Sequence, residues 1–360
     1  MSDYVLKFGT KIVTGSNGKW TGYDPSIPPA KPYVTFEFSS ANYDPRTETY
    51  GWKTGSEWTK ISSSPNRWRY VRDNSNWSRE FGWNQTGTKG FYNANQSGVT
   101  YKIIDGNLPG VTTIYQAFEG LKAVSPDNNI TEYYGCYNLT EVNLPTLPNV
   151  VYGYHAFRDN PNLTKITLGD MPACTDTSWM FINDTGLVNV TLGNMSAVTA
   201  TNGMFDNCTS LVTAPNMDTS HVTNAEDMFS YCLKLKNVPL YDFSSAGNVG
   251  GLFQNCKVLQ SVPTFNFGSA YHLYSTFSGC EKLTAIPNFT MATVSSVPSY
   301  GFNVSNMFKN CYLVSSGITR IYNKMAAWTG TVAHSSTFTN CGSNTTTGAA
   351  ELANIPSDWK

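Results

Sequence analysis

Apolar positions in this chain recur at a fixed, long interval. From Met204 to Pro287 the phrases MFDNCTSLVTAP, MFSYCLKLKNVP, LFQNCKVLQSVP and TFSGCEKLTAIP follow one another, and their phenylalanines, Phe205, Phe229, Phe253 and Phe277, stand 24 residues apart. The cysteines Cys208, Cys232, Cys256 and Cys280 keep the same step. A period of this length predicts stacked repeats, each able to bury its apolar face only against its neighbours. A second column, Leu139, Leu163, Leu187, Leu211, Leu235, Leu259 and Leu283, is followed three residues on by Val142, Ile166, Val190, Ala214, Val238, Val262 and Ile286. In the early repeats the alternation continues to Leu144, Leu168 and Leu192, so LTEVNL, LTKITL and LVNVTL read as short parallel strands. Later repeats place Pro215, Pro239, Pro263 and Pro287 where a strand would run on; proline donates no ladder hydrogen bond, so those strands should be shorter. Asparagine or glycine precedes most repeat cysteines (Gly135, Asn207, Asn255, Gly279, Asn310, Asn340) and suits a left-handed corner.

VTTIYQAF, from Val111 to Phe118, matches VTNAEDMF, from Val222 to Phe229, in spacing, and marks the first repeat. The anchor aromatic then moves to Tyr133, to Phe157 and Phe181, on through the 24-residue series, and by steps of 31 and 30 to Phe308 and Phe338. This predicts a mainly β solenoid, a leucine-rich-repeat array of about ten coils over residues 99–345, roughly 45–50 Å long at strand spacing. Ahead of it, residues 33–98 hold Trp52, Trp58, Trp68, Trp77 and Trp83 with two alternating runs, YVTFEF and RWRYVRD. They predict an N-terminal aromatic-rich β cap, with a sugar-stacking face as the competing reading. In residues 1–32 a short hairpin (Tyr4 to Phe8, Lys11 to Val13) precedes the Pro-rich GYDPSIPPAKP and forms an attachment leader too small to be stable alone. Residues 346–360 form a C-terminal cap, with GAAELANIP as a short helix.

Composition narrows the function classes. Net charge is −1 and 14% of the 360 residues are charged, which leaves no basic patch for nucleic acid. No run of 18 apolar residues predicts a membrane span, and the N-terminus lacks a signal-peptide pattern. A place outside the producing cell or on a virion would then be reached without its own signal peptide, for instance on a particle released by lysis. Seven of the eight cysteines (Cys136, Cys208, Cys232, Cys256, Cys280, Cys311, Cys341) share one slot, and Cys174 takes the slot of Val198 and Val222. A reduced, buried column fits this better than disulfides or a metal site, because parallel neighbours are poorly aimed for a disulfide and no CxxC or Cys/His cluster is present.

AFRDNPNLTKITL and MDTSHVTNAEDMFSYCLKL resemble the BspA-like leucine-rich repeats of bacterial surface proteins, including the variant of Mycoplasma lipoproteins with its DTSxVTNMxxMFxxCxxL phrase. The resemblance covers roughly residues 100–345. It implies surface display, adhesion and binding of proteins or glycans, with no shared catalytic residue. The chain departs from the family in lacking a signal peptide and a lipidation cysteine near its start. Met1 to Lys31, with its FGTKIV phrase, is similar to short virion-attachment leaders on phage appendage proteins from gut bacteria.

No HExxH, GxSxG or phosphate-loop motif is present, and His155, His221, His272 and His334 occupy different repeat slots. Asp170, Asp218 and Asp242 share a slot with Asn194, Asn266 and Thr290, which fits a turn-forming Asx. The chain therefore reads as no enzyme and calls for no cofactor and no metal. Glu141, Asn143, Lys165, Thr167, Asn189, Thr191, Thr213, Asn237, Ser261 and Ala285 should point outward as a plain solvated face. Better ligand-binding candidates are the aromatics outside the repeat slots, Tyr271 and Tyr274, then Tyr312, Tyr322 and Trp328, with the start of a C-terminal cap as the competing reading of Tyr322 and Trp328. The expected function is a non-enzymatic, surface-displayed binding or structural protein: a phage virion fibre or decoration protein adhering to a host surface or glycan. The alternatives are a bacterial cell-surface adhesin for host proteins and, last, a carbohydrate-active enzyme. Expected partners are sister chains or virion proteins through residues 1–32 and a cell-surface protein or glycan, with no membrane insertion.

Overall fold

The computed structural model of the chain describes residues 4–8, 11–16, 19–23, 31–47, 58–71, 95, 97–108, 111–124, 131–291, 301–328 and 331–360. Near the N-terminus β1 (Tyr4–Phe8), β2 (Lys11–Ser16) and β3 (Lys19–Tyr23) pair antiparallel in that order. The predicted hairpin is present and a third strand is added; Asn17-Gly18 in the sequence is the hairpin signal for it. The prolines at 25, 28 and 29, and Trp52, Trp77 and Trp83, lie outside the described residues.

The main sheet has seven strands: β4 (Tyr33–Phe38), β5 (Trp58–Ser63), β6 (Asn66–Val71), β7 (Tyr101–Asn107), β10 (Leu139–Leu144), β11 (Lys165–Leu168) and β12 (Asn189–Leu192). Their order is β12-β11-β10-β7-β4-β6-β5. β7 runs antiparallel to β4 and parallel to β10, so the sheet is mixed. Alternation decides its faces: Val34, Phe36, Phe38, Trp68 and Tyr70 are buried, as YVTFEF and RWRYVRD predict. Phe36 and Tyr70 both pack on Trp58, with ring centroids 5.7 and 5.1 Å away. Buried polar tips find partners: Trp68 Nε1 donates to Asn66 Oδ1 at 2.9 Å and Tyr101 Oη to Asn95 Oδ1 at 2.9 Å. Trp58 and Trp68 are thus core and offer no ring to a sugar.

This architecture corrects the expected mainly β solenoid with a separate cap. The sheet is open, the aromatic segment supplies three of its seven strands, and the rest of the described residues hold only small two- and three-stranded sheets and few helices. The prolines explain the difference. Beyond β12 the main-sheet ladder stops: the strand slot of the Leu211 and Leu235 repeats is one bridge, Thr213 to Asn237, with Pro215 and Pro239 following. Most of each later repeat is turn.

The repeats nevertheless stack in parallel register. Single bridges link Asp176, Ala200, Asn224, Asn248, His272 and Asn303 in succession. Phe118, Phe157, Phe181, Phe205, Phe229, Phe253, Phe277, Phe308 and Phe338 form one ring column, with neighbouring centroids 5.2 to 5.8 Å apart. Tyr133 is not in it. Phe118 stacks directly on Phe157 at 5.2 Å, and Tyr133 belongs to an antiparallel hairpin of β8 (Gly120–Val124) and β9 (Thr131–Gly135). The column therefore has nine rings where about ten coils were expected. Two positive-φ residues flank most of these rings, such as Gly203 and Asn207 around Phe205 and Asp227 and Tyr231 around Phe229. Asn207, Asn255, Gly279, Asn310 and Asn340 all have positive φ, as the corner reading requires; Gly135, read with them, is instead the last residue of β9.

All eight cysteines are free and buried. Their role in the shared slot is geometric: Cys208 Sγ donates to Phe181 O at 3.1 Å, Cys232 to Phe205 O at 3.2 Å, Cys256 to Phe229 O at 3.2 Å and Cys280 to Phe253 O at 3.2 Å. The same carbonyl also accepts the backbone N–H three residues on, as in Cys208 N to Phe205 O at 3.1 Å, so both lone pairs are used. Burial pushes these thiols up, away from the reactive thiolate. A thiol reagent should therefore find none of the eight groups in the folded protein and all eight after denaturation. Prompt labelling of the native protein would contradict the column.

Toward the C-terminus β13 (Asn266–Phe267) pairs with β14 (Thr290–Met291), and β15 (Phe302–Asn303) with β16 (Val332–Ala333), both parallel. α1 (Ile318–Ala326) buries Ile318, Ile321 and Met325. α2 (Thr346–Ala353) begins where GAAELANIP predicts a helix; its N-cap Thr345 accepts from Gly348 N at 3.1 Å. Trp359 closes the ring column, its carbonyl accepting from Phe338 N at 2.9 Å.

Candidate functional site

The predicted aromatics separate into two groups. Trp328 is buried, stacked on Phe302 with centroids 4.0 Å apart, and Tyr322 on α1 meets Trp359 edge-on at 5.3 Å. Both are packing groups, as the C-terminal-cap reading has it. Tyr312 is half-buried and follows Cys311 of the cysteine column. Tyr271 and Tyr274 alone come together on one surface.

That surface is made by the slots six, five, three and two residues before the column rings. Four of the repeats contribute an Asx turn there: Asp176, Asn224, Asn248 and Asn303 each accept, through Oδ1, the N–H two residues on, at 2.9 to 3.1 Å. The turn fixes the third slot at Glu226 and Gly250; in the next repeat His272 takes the Asx place and the third slot is Tyr274. The Tyr271 ring lies against Gly247 and the Tyr274 ring against Gly250, so close that a Cβ there would meet them at 2.7 and 2.6 Å. Tyr274 Oη donates a short hydrogen bond to Glu226 Oε1, and Asn248 Nδ2 donates to Glu226 Oε2 at 3.0 Å. Burial, then the bond to Glu226, push the Tyr274 hydroxyl up, so it stays protonated and donates. Beside them Asp227 is pushed up to about 6 by burial, Asp206 and Glu226, and Asp206 to about 6 by burial against a bond from Ser230.

The same slots hold a second aromatic group that the sequence reading missed. Tyr115, Tyr154, His155 and Trp179 touch in series: Tyr115 to Tyr154 at 5.4 Å, Tyr154 to His155 at 4.0 Å and Tyr154 to Trp179 at 5.2 Å, the last edge-on. Aligning the repeats by slot, and not by composition, would have found it, because Tyr154 and Tyr274 both precede their ring by three residues. Burial and Arg158 hold the His155 imidazole down at about 4, hence neutral. Small residues, Ala200, Asn202 and Gly203, separate the two groups. Four repeat steps separate Trp179 from Tyr274, about 20 Å at strand spacing.

At this point comparison with known proteins bears on the chain. Residues 175–289 match the family model described as Mycoplasma protein of unknown function, DUF285. This is a Mycoplasma-type family of BspA-like repeats, and the match spans the regular 24-residue units on both sides of the Glu226–Tyr274 contact. The chain matches no curated protein and no solved structure.

Chemically the surface can stack and hydrogen-bond. Asp218 and Asp242 each accept the N–H two residues on, Ser220 at 3.0 Å and Ser244 at 2.9 Å, so these are turn-forming as read, whereas Asp170 accepts Asn194 N of the next repeat at 2.7 Å. Among the described residues no group of three or more His, Cys, Asp or Glu could hold a metal ion, and no helix is long and apolar enough to cross a membrane.

Proposed function

We propose that the chain is a non-catalytic, surface-displayed binding protein, and that the surface running from Tyr154 and Trp179 to Tyr271 and Tyr274 takes an extended carbohydrate. The observation that carries this is the Tyr274–Glu226–Asn248 contact beside two rings seated on glycines. Flat rings held at fixed height, next to a carboxylate and an amide, supply stacking and hydroxyl recognition without any reacting group. The matched Mycoplasma family is one of unknown function, so the reading rests on the surface itself; the virion fibre read from residues 1–32 has no such support.

The test is binding of the full chain to immobilised bacterial and host cell-surface polysaccharides. Tyr274→Ala and Trp179→Ala should each weaken binding of the same glycan roughly tenfold or more, as loss of aromatic anchors does. Undiminished binding by both variants would overturn the assignment of the surface. Capture of a cell-surface protein, with no polysaccharide bound, would overturn the ligand class.

A further inference from the structure

We infer that the outer face of the main sheet carries a second, separate pocket, built for a carboxylate-bearing sugar. It occupies ≈ 240 Å³ and is lined by Lys102, Ile104, Glu141, Asn143, Lys165 and Thr167, with backbone from Ile103 and Val142. Two adjacent rows of the sheet make it. In one row the register aligns Arg67, Glu37, Lys102, Glu141 and Lys165 across β6, β4, β7, β10 and β11, cations and anions alternating. Arg67 pairs with Glu37 at 2.8 Å and Lys102 with Glu141 at 2.6 Å. Three cations against two anions leave one positive charge, and among the described residues Lys165 has no ion pair, since its next neighbour across the sheet is Asn189.

The second row supplies neutral hydrogen-bonding groups, Asn143 and Thr167, directly opposite each other. The pocket thus joins a surplus ammonium to a carboxylate, an amide and a hydroxyl in a space fit for one small ring. A simple anion would use the ammonium and leave the other groups idle. A neutral sugar would leave Lys165 unmatched. A uronic acid uses all of them: carboxylate on Lys165, ring hydroxyls on Glu141, Asn143 and Thr167. The outward column of these residues was read from sequence as plain solvated surface. What sequence does not display is that Lys102, 39 residues before Glu141, is set beside it by the β7–β10 register.

The experiment is calorimetric titration of the full chain with sodium glucuronate, with glucose and sodium acetate as controls. The expected result is saturable glucuronate binding, weakened roughly tenfold by Lys165→Gln, as loss of a charge-assisted contact predicts. Tyr274→Ala, on the aromatic surface, should leave it unchanged, which separates this pocket from that reading. Absence of saturation, or equal binding by Lys165→Gln, would overturn the site. Acetate or glucose binding as tightly as glucuronate would overturn the ligand class.

Discussion

Phe229→Ala should lower the unfolding free energy by about 3–5 kcal/mol, the usual cost of emptying a fully buried phenylalanine site. Phe229 is wholly buried at the middle of the ring column, its centroid 5.4 Å from Phe205, 5.8 Å from Phe253 and 5.9 Å from Tyr241. The backbone around it is held in a left-handed turn on each side, at Asp227 and Tyr231, so neighbouring repeats have little freedom to close the void. A second consequence follows from the stacking. Each repeat packs chiefly on the ones before and after it, with the Tyr274–Glu226 bond reaching one repeat further, so weakening one interface in the middle should loosen the coupling of the two halves. Scanning calorimetry of the variant should show a lower first transition and a second one separated from it. Leu240→Ala is the control: that side chain is 71% exposed and its removal should change stability by no more than about 0.5 kcal/mol. Equal effects of the two substitutions would mean that the ring column is not what holds the repeats together.

Asp184→Asn should raise stability at pH 8 by about 2 kcal/mol and leave it nearly unchanged at pH 4. Asp184 sits in the cysteine slot, fully buried, where Cys208, Cys232, Cys256 and Cys280 in the following repeats each donate to the ring carbonyl 27 residues back. Its Oδ1 accepts Asn160 N at 2.8 Å; its Oδ2 is buried with no hydrogen-bond partner. Burial first, and then Asp159, push this carboxyl well above its usual range, against the bond from Asn160 that lowers it. The sign follows from linkage: the folded chain holds the proton more tightly than the unfolded one. The contribution is therefore fully present below the unfolded value near 4 and is lost as pH rises from there through the folded value. An asparagine keeps the acceptor for Asn160, adds a donor and removes the charge. Denaturation midpoints against pH check this: the wild-type curve should fall between pH 4 and 8 more steeply than that of the variant. Parallel curves would mean that Asp184 does not titrate in this window.

Buried identity was legible in the sequence because it is local. The phenylalanine, cysteine and leucine columns need only a period, and each turned out buried. The shortening of the later strands was legible for the same reason, since a proline acts where it stands. Partnership was not legible. Nothing in YKIIDGN says that one of its edges will meet YVTFEF antiparallel and the other LTEVNL parallel, and that double pairing turns an expected cap into half of a mixed sheet. Tyr133 misled because its type fits the ring slot, while the chain on either side of it pairs into a hairpin. The aromatic group at Tyr154 and Trp179 and the lysine pocket were hidden alike, since both are assembled from residues of several repeats or strands.

The ring column separates distance in space from distance in sequence. Phe118 and Phe157 are 39 residues apart, Phe277 and Phe308 are 31 apart, and Phe205 and Phe229 are 24 apart, yet the three centroid spacings are 5.2, 5.6 and 5.4 Å. The pitch belongs to the stacked rings while the chain between them varies in length, the β8–β9 hairpin falling within the 39-residue step from Phe118 to Phe157. Such a frame admits insertions at its corners without losing step. Its outer surface can therefore diversify by length as well as by substitution, while the buried column stays the same.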